Sequence, residues 1–485
     1  MARGEKLTLA ELAPPAVPDD KNFAMDSIWV EAVTTQMGAE KAMTWYGDRV
    51  RAFGETNKAR LFDLKAELPE VLWMTSNESG RWQLATTTDL TLWQDYYRRL
   101  AHRTNYFLIP SKPRSPAEDV LLALSRNNNI IEQLREASAL PYARFPLDYA
   151  SKNPGEILLP HLSMLKSVIF VLRLRTSAEL QAGSSDSALD DIVLMMRFND
   201  LIRDEPFLIS QLIHIAMFQI EVQPIWEGLA DQRWNDPQLA HLDAHLAQFD
   251  FLKSYTNVMA REKASVCQIV DYLERNRRDL KGAYEPLGPL LPLPRGFREN
   301  EALLNCFALA IPRGWFDQNK ATVWRFYDEH VDRAIDLAHR TYSSSNAVQL
   351  SGAASRLGAA PSPYNRLANM LLPALTQAAK KFVFAQETLD FARLAIALER
   401  YRLANGRFPE KLDALSPKFL GQIPHDLITG KPLKYRRTED GSFILYSVGW
   451  NATDDAGKVS QIPGGAPNPE LGDWVWRYPQ SKLQL

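Results

Sequence analysis

Residues 391–409 read FARLAIALERYRLANGRFP, and this stretch decides how the last fifth of the chain folds. Its apolar side chains recur at spacings of three, four and three residues, at Phe391, Leu394, Leu398 and Tyr401. That spacing places them on one face of an α-helix, which predicts a helix packed against a partner. Asn405 and Gly406 follow, and a glycine there ends a helix because it adopts the left-handed backbone conformation without steric cost.

Residues 433–449, LKYRRTEDGSFILYSVG, predict two short strands after this helix. Apolar and aromatic residues mark a strand in each half of the stretch. Asp440 and Gly441 lie between the two halves, and an Asp-Gly pair in that position is a strong signal for a hairpin turn. Helix and hairpin together predict a small α+β module over residues 386–485.

From Ser115 to about residue 385 the apolar residues follow helical spacing. Ser115 is a predicted N-cap, with Pro116 at the first helical position and Glu118 placed to complete a capping box. Prolines then divide the segment into pieces of ordinary helix length, at Pro141, Pro146, Pro154, Pro160, Pro206, Pro224 and Pro237. No fixed repeat period occurs, so residues 115–385 are predicted to form an irregular domain of antiparallel helix pairs.

Residues 1–114 are predicted to form an extended N-terminal arm and a mixed segment that pack on the helical domain. Prolines between Pro14 and Pro18 disfavour a helix there. Two other stretches are predicted to be irregular, the Pro- and Gly-rich residues 286–296 and the Ser-, Ala- and Gly-rich residues 343–363. The predicted fold class is therefore mainly α, with antiparallel helix pairs followed by the small C-terminal α+β module.

Composition and charge exclude several classes of function. The formal net charge is −2 at pH 7 and the chain has no block of lysines and arginines, so it lacks the basic surface that nucleic acid binding requires. No apolar run reaches the roughly 18–20 residues of a membrane span, and the N-terminus does not begin as a signal peptide. Cys267 and Cys306 are too few for a disulfide framework, and whether they pair depends on the compartment.

The order of motifs in residues 385–457 resembles the periplasmic domain of the major pseudopilin of type II secretion systems. The matching positions are Tyr401, then Asn405-Gly406-Arg407-Phe408-Pro409, Leu412 and Leu415, Pro424-His425-Asp426, Gly430-Lys431-Pro432, and Tyr446-Ser447-Val448-Gly449. The resemblance implies a shared architecture. It does not imply assembly into a pilus, because more than 370 residues stand where a pseudopilin has its N-terminal membrane helix.

The pseudopilin family binds calcium after its final strand. The resemblance therefore implies that Asn451, Asp454 and Asp455 supply oxygen ligands to calcium, the kind of ligand that this hard cation favours. The alternative is a solvated polar turn, because six to eight oxygens are not evident in the sequence. Apart from calcium, no cofactor is expected.

The whole chain also resembles a set of uncharacterised bacterial envelope-type helical proteins with the same ending. Three stretches carry this resemblance, residues 9–15, residues 21–24 and residues 203–206. In that set the arm follows a membrane anchor, which implies an anchor upstream in the native gene and a location in the cell envelope or periplasm. Without an upstream export segment, the expected location is the cytoplasm.

Three glutamates are candidates for catalysis. Glu221, Glu227 and Glu262 lie in or beside apolar helical stretches, and Trp226 and Trp234 are close to the first two in sequence. Paired carboxylates lined by aromatic rings can cleave glycosidic bonds, since one protonates the leaving group while the other acts as base or nucleophile. The alternative is that they are exposed helix charges or partners of arginines on neighbouring helices, because a catalytic pair is defined by pocket geometry.

His241 and His245 are candidates for binding zinc. Residues four apart lie on the same face of a helix, so both imidazoles can reach one metal ion. No HExxH motif is present and no third ligand can be named, so exposed or hydrogen-bonded histidines are the alternative.

The leading hypothesis is a non-enzymatic binding or scaffold protein of the cell envelope, associated with secretion, whose partner is a protein or another envelope component. The alternative hypothesis is a hydrolase or lyase that acts on carbohydrate or peptide through the paired glutamates. No GxSxG motif, P-loop or GxGxxG signature is present to favour an enzyme of the common classes.

Overall fold

The computed structural model of the chain describes residues 8–46, 50, 80–104, 107–276, 312–342, 344–359, 362, 364–371 and 373–479. The irregular stretch predicted at residues 286–296 lies outside these ranges, and so does Cys306.

The N-terminal segment is fixed to the helical body by a polar turn and an aromatic cluster. It contains α1 (Leu9–Leu12), α2 (Ser27–Met37) and α3 (Ala39–Tyr46). The side chain of Asn22 accepts a hydrogen bond from the Arg144 backbone N–H at 2.9 Å and donates one to the Arg144 carbonyl at 2.8 Å. The neighbouring Phe23 is fully buried and stacks on Phe198 with ring centroids 5.9 Å apart. The arm is therefore part of the core.

The helical body consists of α4 (Leu90–Thr104), α5 (Pro116–Leu124), α6 (Asn128–Ser138), α7 (Pro160–Gln181), α8 (Ser185–Asp200), α9 (Leu208–Ala230), α10 (Asp236–Leu246) and α11 (Phe251–Arg275). Ser115 and Glu118 form the predicted capping box at the start of α5. Residues 182–184 join α7 to α8, and so short a connection makes the two helices antiparallel neighbours. Both α7 and α9 are buried along most of their length.

The course of α9 shows that the predicted helix end at Pro224 is wrong. The helix continues from Leu208 to Ala230 with Pro224 inside it. A proline there removes one backbone donor and crowds the preceding turn, at a cost of about 3 kcal/mol. Val222, Ile225 and Trp226 are fully buried around it. Packing of such side chains stabilises the helix by more than the proline costs.

The second half of the body consists of α12 (Arg313–Phe326), α13 (Ser344–Ala359), α14 (Arg366–Leu371) and α15 (Pro373–Asn405), with a short hairpin of β1 (Ile335–Asp336) and β2 (Thr341–Tyr342). The prediction that residues 343–363 are irregular is wrong over the length of α13. Alanine and leucine favour a helix there, and burial of Leu350 and Ala353 fixes it.

The C-terminal module is built on an antiparallel sheet in the order β3–β4–β7, formed by β3 (Lys434–Arg437), β4 (Phe443–Ser447) and β7 (Trp474–Arg477). A separate hairpin pairs β5 (Val459–Gln461) with β6 (Pro467–Gly472). Gly441 has φ of 79° in the turn between β3 and β4, which confirms the predicted hairpin. The sequence did not predict β5, β6 or β7.

The long helix α15 unites the C-terminal sheet with the helical body. It packs against α9, α10 and α11, and the predicted domain boundary between residues 385 and 386 lies inside it. Two tryptophans add to this junction. Trp476 lies 5.2 Å from the ring of Trp82, and Trp226 Nε1 donates a 3.0 Å hydrogen bond to the carbonyl of Arg477. The predicted fold class, mainly α with a small C-terminal sheet, is confirmed at this level.

No helix in the described ranges is both long enough and apolar enough to cross a membrane. In α7, for example, Lys166, Arg173 and Arg175 interrupt the apolar residues.

Candidate functional site

Glu221 lies in the core of the helical body. Its residue exposure is 0%, and in the described part of the chain neither carboxylate oxygen has a partner with hydrogen-bond geometry. Burial raises the pKa of this carboxyl well above its usual range, while Asn199 of α8 favours the ionised form and Asp200 disfavours it. The side chain therefore lies between α8 and α9 in surroundings that favour its protonated form.

Glu227 fixes residues 80–88 to α9. Its Oε1 accepts hydrogen bonds from the Thr88 N–H at 2.8 Å, the Thr88 hydroxyl at 2.7 Å and the Gln223 amide at 2.8 Å. The charge of Glu227 also acts on Arg173, a half-buried arginine on α7. With its oxygen occupied in this way, Glu227 has the contacts of a structural anchor.

Glu262 lies on α11, beside the first turn of α9. Its carboxylate accepts a hydrogen bond from the Leu208 N–H, and burial raises its pKa. Leu208 and Glu221 are thirteen residues apart on one helix, about 20 Å along the axis. Glu221 and Glu227 are six residues apart, about 9 Å along the axis and on different sides of the helix. The structure therefore does not bring the three glutamates together, and none of them lines any of the cavities in the described ranges that are discussed below.

His241 and His245 are brought together on α10 as the sequence predicted. Their Nε2 atoms are 3.1 Å apart, and the two rings are nearly parallel with centroids 5.0 Å apart. Among the described residues, no cluster of three or more His, Cys, Asp or Glu side chains suits a metal ion. Zinc binding by the pair stays a prediction.

The predicted calcium ligands are close together but engaged with their own loop. Asp454 accepts hydrogen bonds from the Ala456 N–H and the Tyr446 hydroxyl, and Lys434 lies 3.3 Å from it. The Asn451 amide donates to Asp455 at 3.1 Å. Calcium binding here also stays a prediction, and the contacts are those of a self-contained polar turn.

Asp473 is the buried acid that organises this loop, and the sequence did not indicate it. It accepts hydrogen bonds from the Asp455 N–H at 3.2 Å and from the Gly457 N–H at 2.6 Å. Burial and the neighbouring acids Asp455 and Asp454 raise its pKa. An aspartate beside a strand gives no sequence signal for this role, since its partners lie sixteen and eighteen residues away.

A groove of about 1220 Å³ lies at the end of the C-terminal sheet that carries the β3–β4 turn. Arg436 of β3 pairs with Ile444 of β4, and Ile444 pairs with Arg477 of β7. Directly paired residues of antiparallel strands have their side chains on the same face. One row across the sheet therefore presents an isoleucine with one guanidinium group on each side of it. The arginine Cα atoms are about 10 Å apart, across two strand spacings.

The groove is amphipathic. Its apolar lining comes from Leu84, Ala85, Phe443, Ile444, Tyr478 and Pro479. The rings of Phe443 and Tyr478 meet edge to face, with centroids 5.3 Å apart. Leu84 and Ala85 come from a distant part of the sequence and form one wall, which the hydrogen bonds of Glu227 and Gln223 to residues 80–88 fix in place.

Three arginines line the groove, Arg436, Arg437 and Arg477, together with two acids, Glu439 and Asp440. Arg437 forms an ion pair with Glu410, and Asp440 is engaged within its own turn by hydrogen bonds from Ser442 and Thr438. In the described ranges neither Arg436 nor Arg477 has an ion-pair partner. An anionic group in the groove would therefore meet two guanidinium groups that are free to bind it.

No protein-family model, curated protein or solved structure matches this chain. What can be said of its function therefore comes from the residues and their arrangement.

Proposed function

We propose that this is a non-enzymatic binding or scaffold protein, and that the groove on the C-terminal sheet binds an extended acidic segment of a protein partner. The observation that carries the proposal is the row Arg436–Ile444–Arg477, which lines the 1220 Å³ groove with two uncompensated cations around an apolar centre. Placement in the cell envelope, with a link to secretion, rests on the resemblance to the pseudopilin head and is part of the same proposal.

A peptide segment suits this groove better than a small metabolite does. Small-molecule sites enclose about 300–1,000 Å³ and bury most of the ligand, whereas this groove is larger and lies at one end of the sheet. An extended chain advances about 3.3 Å per residue and its alternate side chains lie on one face, so acidic side chains four positions apart, with Cα atoms about 13 Å apart, share a face and can reach the two arginines. Apolar side chains between them would contact Ile444 and the ring of Tyr478.

The hydrolase or lyase hypothesis has no comparable support. Glu221 and Glu227 lie on different sides of α9, and their surroundings are a packed helix interface and a hydrogen-bonded anchor. A pair of catalytic carboxylates needs a common cavity with room for a substrate, with roughly 5–9.5 Å between the acids depending on mechanism.

The proposal is tested with a fluorescent eight-residue peptide that carries two glutamates four positions apart among leucine and valine residues. The control peptide has lysines in place of the glutamates. We expect binding of the acidic peptide, measured by fluorescence polarisation, and weaker binding at high salt. Replacement of both Arg436→Glu and Arg477→Glu should weaken it at least about tenfold, which corresponds to about 1.4 kcal/mol.

Arg356→Glu is the matched control, because it reverses an exposed arginine on α13, a helix that contributes no residue to the groove. This variant should bind the acidic peptide as the unaltered protein does. Equal binding of the acidic and basic peptides, or an equal loss with Arg356→Glu, would refute the proposed role of the groove.

A further inference from the structure

His241 and His245 form a preorganised pair on the surface of α10. His241 is exposed, His245 is half-buried, and the 3.1 Å between their Nε2 atoms places both ring nitrogens at a common point beside the helix. Since the histidines are four residues apart on one helix, the backbone holds them at this separation. No rearrangement of the chain is needed to bring the two nitrogens together.

The separation of the two nitrogens suits a shared metal ion. Zinc binds imidazole nitrogen at about 2.0–2.1 Å in tetrahedral geometry. Two nitrogens at that distance and angle are about 3.3 Å from each other, close to the 3.1 Å found here. In the absence of metal, the same contact is a hydrogen bond in which one imidazole donates and the other accepts, so the metal replaces one shared proton.

The surroundings keep the imidazole nitrogens available. The nearby Arg203 would repel a cation bound by His245. Arg203 is itself paired with Asp200, which reduces its repulsion of a cation. A cavity of about 230 Å³ opens beside His245 and is lined by Ser138, Asp190 and Asp200 together with Arg135 and Arg197. The cavity has room for water on the protein side of a bound ion.

We propose that His241 and His245 bind one divalent transition-metal ion of the nickel, copper and zinc group, with water in the remaining coordination positions. Imidazole suits this group of metals, whereas calcium and magnesium prefer oxygen ligands. This site is independent of the groove on the C-terminal sheet, because α10 contributes no residue to that groove.

The site is tested by calorimetric titration of the full chain, free of any affinity tag, with zinc chloride at pH 7.5 in a buffer that does not bind metal. We expect one zinc ion per chain. Either His241→Ala or His245→Ala should weaken the affinity at least about tenfold, because a chelating pair loses much of its advantage when one ligand is removed. Both side chains are at the surface, so the variants should fold, which circular dichroism checks.

His339→Ala is the control, because His339 is also exposed and lies 2.7 Å from a carboxylate of Asp336. It should leave the affinity for zinc unchanged. X-ray absorption at the zinc edge should show two imidazole nitrogens at 2.0–2.1 Å and otherwise oxygen. The inference is overturned if the protein binds no zinc at one equivalent, or if the two single variants bind it as tightly as the unaltered chain.

Discussion

Replacing Glu227 by alanine should destabilise the protein severely and loosen one wall of the groove. Glu227 is 3% exposed, and its Oε1 receives three hydrogen bonds, two from Thr88 and one from Gln223. Through these hydrogen bonds α9 holds residues 80–88, which include Leu84 and Ala85 of the groove. The alanine side chain offers no acceptor, so all three hydrogen bonds would be lost, while the Thr88 hydroxyl keeps Ser177 at 3.3 Å and the Gln223 amide keeps the Thr86 carbonyl at 3.1 Å.

The expected loss of stability follows from these contacts. A buried donor left without an acceptor costs about 1–3 kcal/mol. The Thr88 N–H contributes about 1–3 kcal/mol in this way and the two other lost hydrogen bonds about 0.5–1.5 kcal/mol each, and loss of the carboxylate also removes a charge that acts on the half-buried Arg173. Water that enters the vacated space reduces the cost, so a loss of about 4 kcal/mol is expected. Glu227→Gln keeps the acceptor oxygen and should cost about 1–2 kcal/mol.

Urea denaturation measures the loss of stability, and hydrogen exchange shows where it acts. For Glu227→Ala, faster exchange should be concentrated in the backbone amides of residues 80–88, whose N–H groups depend on this anchor. The same variant should bind the acidic peptide more weakly, because Leu84 and Ala85 line the groove.

Leu246→Ala is the matched control for general destabilisation. Leu246 is fully buried on α10, and its truncation should cost about 2–5 kcal/mol without changing the groove. The claim that Glu227 anchors residues 80–88 would be refuted if Glu227→Ala lost less than about 1 kcal/mol of stability, or if hydrogen exchange increased equally over the whole chain. If both variants weakened peptide binding equally, Glu227 would have no specific role in positioning the wall of the groove.

Two further predictions concern buried acids. Glu221→Met should stabilise the protein by about 1–4 kcal/mol at pH 7 in urea denaturation, because it replaces an unpartnered buried carboxyl by an apolar side chain of similar volume; destabilisation would show that the carboxyl has a partner which matters. Glu179 has a pKa raised to about 8, first by burial and then by Asp191. A carboxyl whose pKa is raised in the folded state contributes stability that is fully present below pH 4.5, the ordinary pKa of the group. This contribution, at most about 5 kcal/mol, is lost as the pH rises through about 8. Stability should therefore fall from pH 5 to pH 8, and Glu179→Gln should make that dependence shallower; an unchanged slope would contradict the assignment.

Local signals in the sequence predicted the elements that depend on local interactions. The capping box at Ser115 and the turn at Gly441 are each encoded within a few residues, and both are present. The helix around residues 391–402 is present as part of the longer α15. These predictions were correct because capping, glycine conformation and a 3.6-residue apolar stripe act within one or two turns of chain.

The predictions that failed depend on burial, which a single sequence does not specify. Pro224 is a helix breaker in solvent, yet α9 continues through it because its neighbours are packed on all sides. The β-strand Trp474–Arg477 was not predicted because it pairs with β4, about thirty residues earlier in the chain. No local signal such as a turn or capping residue marks a pairing between strands so far apart in sequence.

The same limit applies to the glutamates. In the sequence the three glutamates lie in or beside apolar helical stretches, but that position does not distinguish a structural acid from a catalytic one. Glu227 could be told apart from a catalytic acid only when its three donors were visible, two of them on Thr88, 139 residues away in sequence. The groove likewise combines residues near positions 84, 436 and 477, which no local motif connects.

The continuity of α15 bears on how a partner in the groove would affect the rest of the molecule. Were the C-terminal module a separate domain, a ligand on β3, β4 and β7 would stabilise that module alone. Instead α15 runs from the body into the module, and the carboxylate of Glu387, within this helix, accepts a hydrogen bond from the Leu427 N–H at 3.1 Å. The wall at Leu84 adds a second connection, through Glu227, to the last turn of α9. Because ligand binding raises the free energy of unfolding of every part that unfolds with the site, an acidic segment in the groove should stabilise the helical body as well as the sheet.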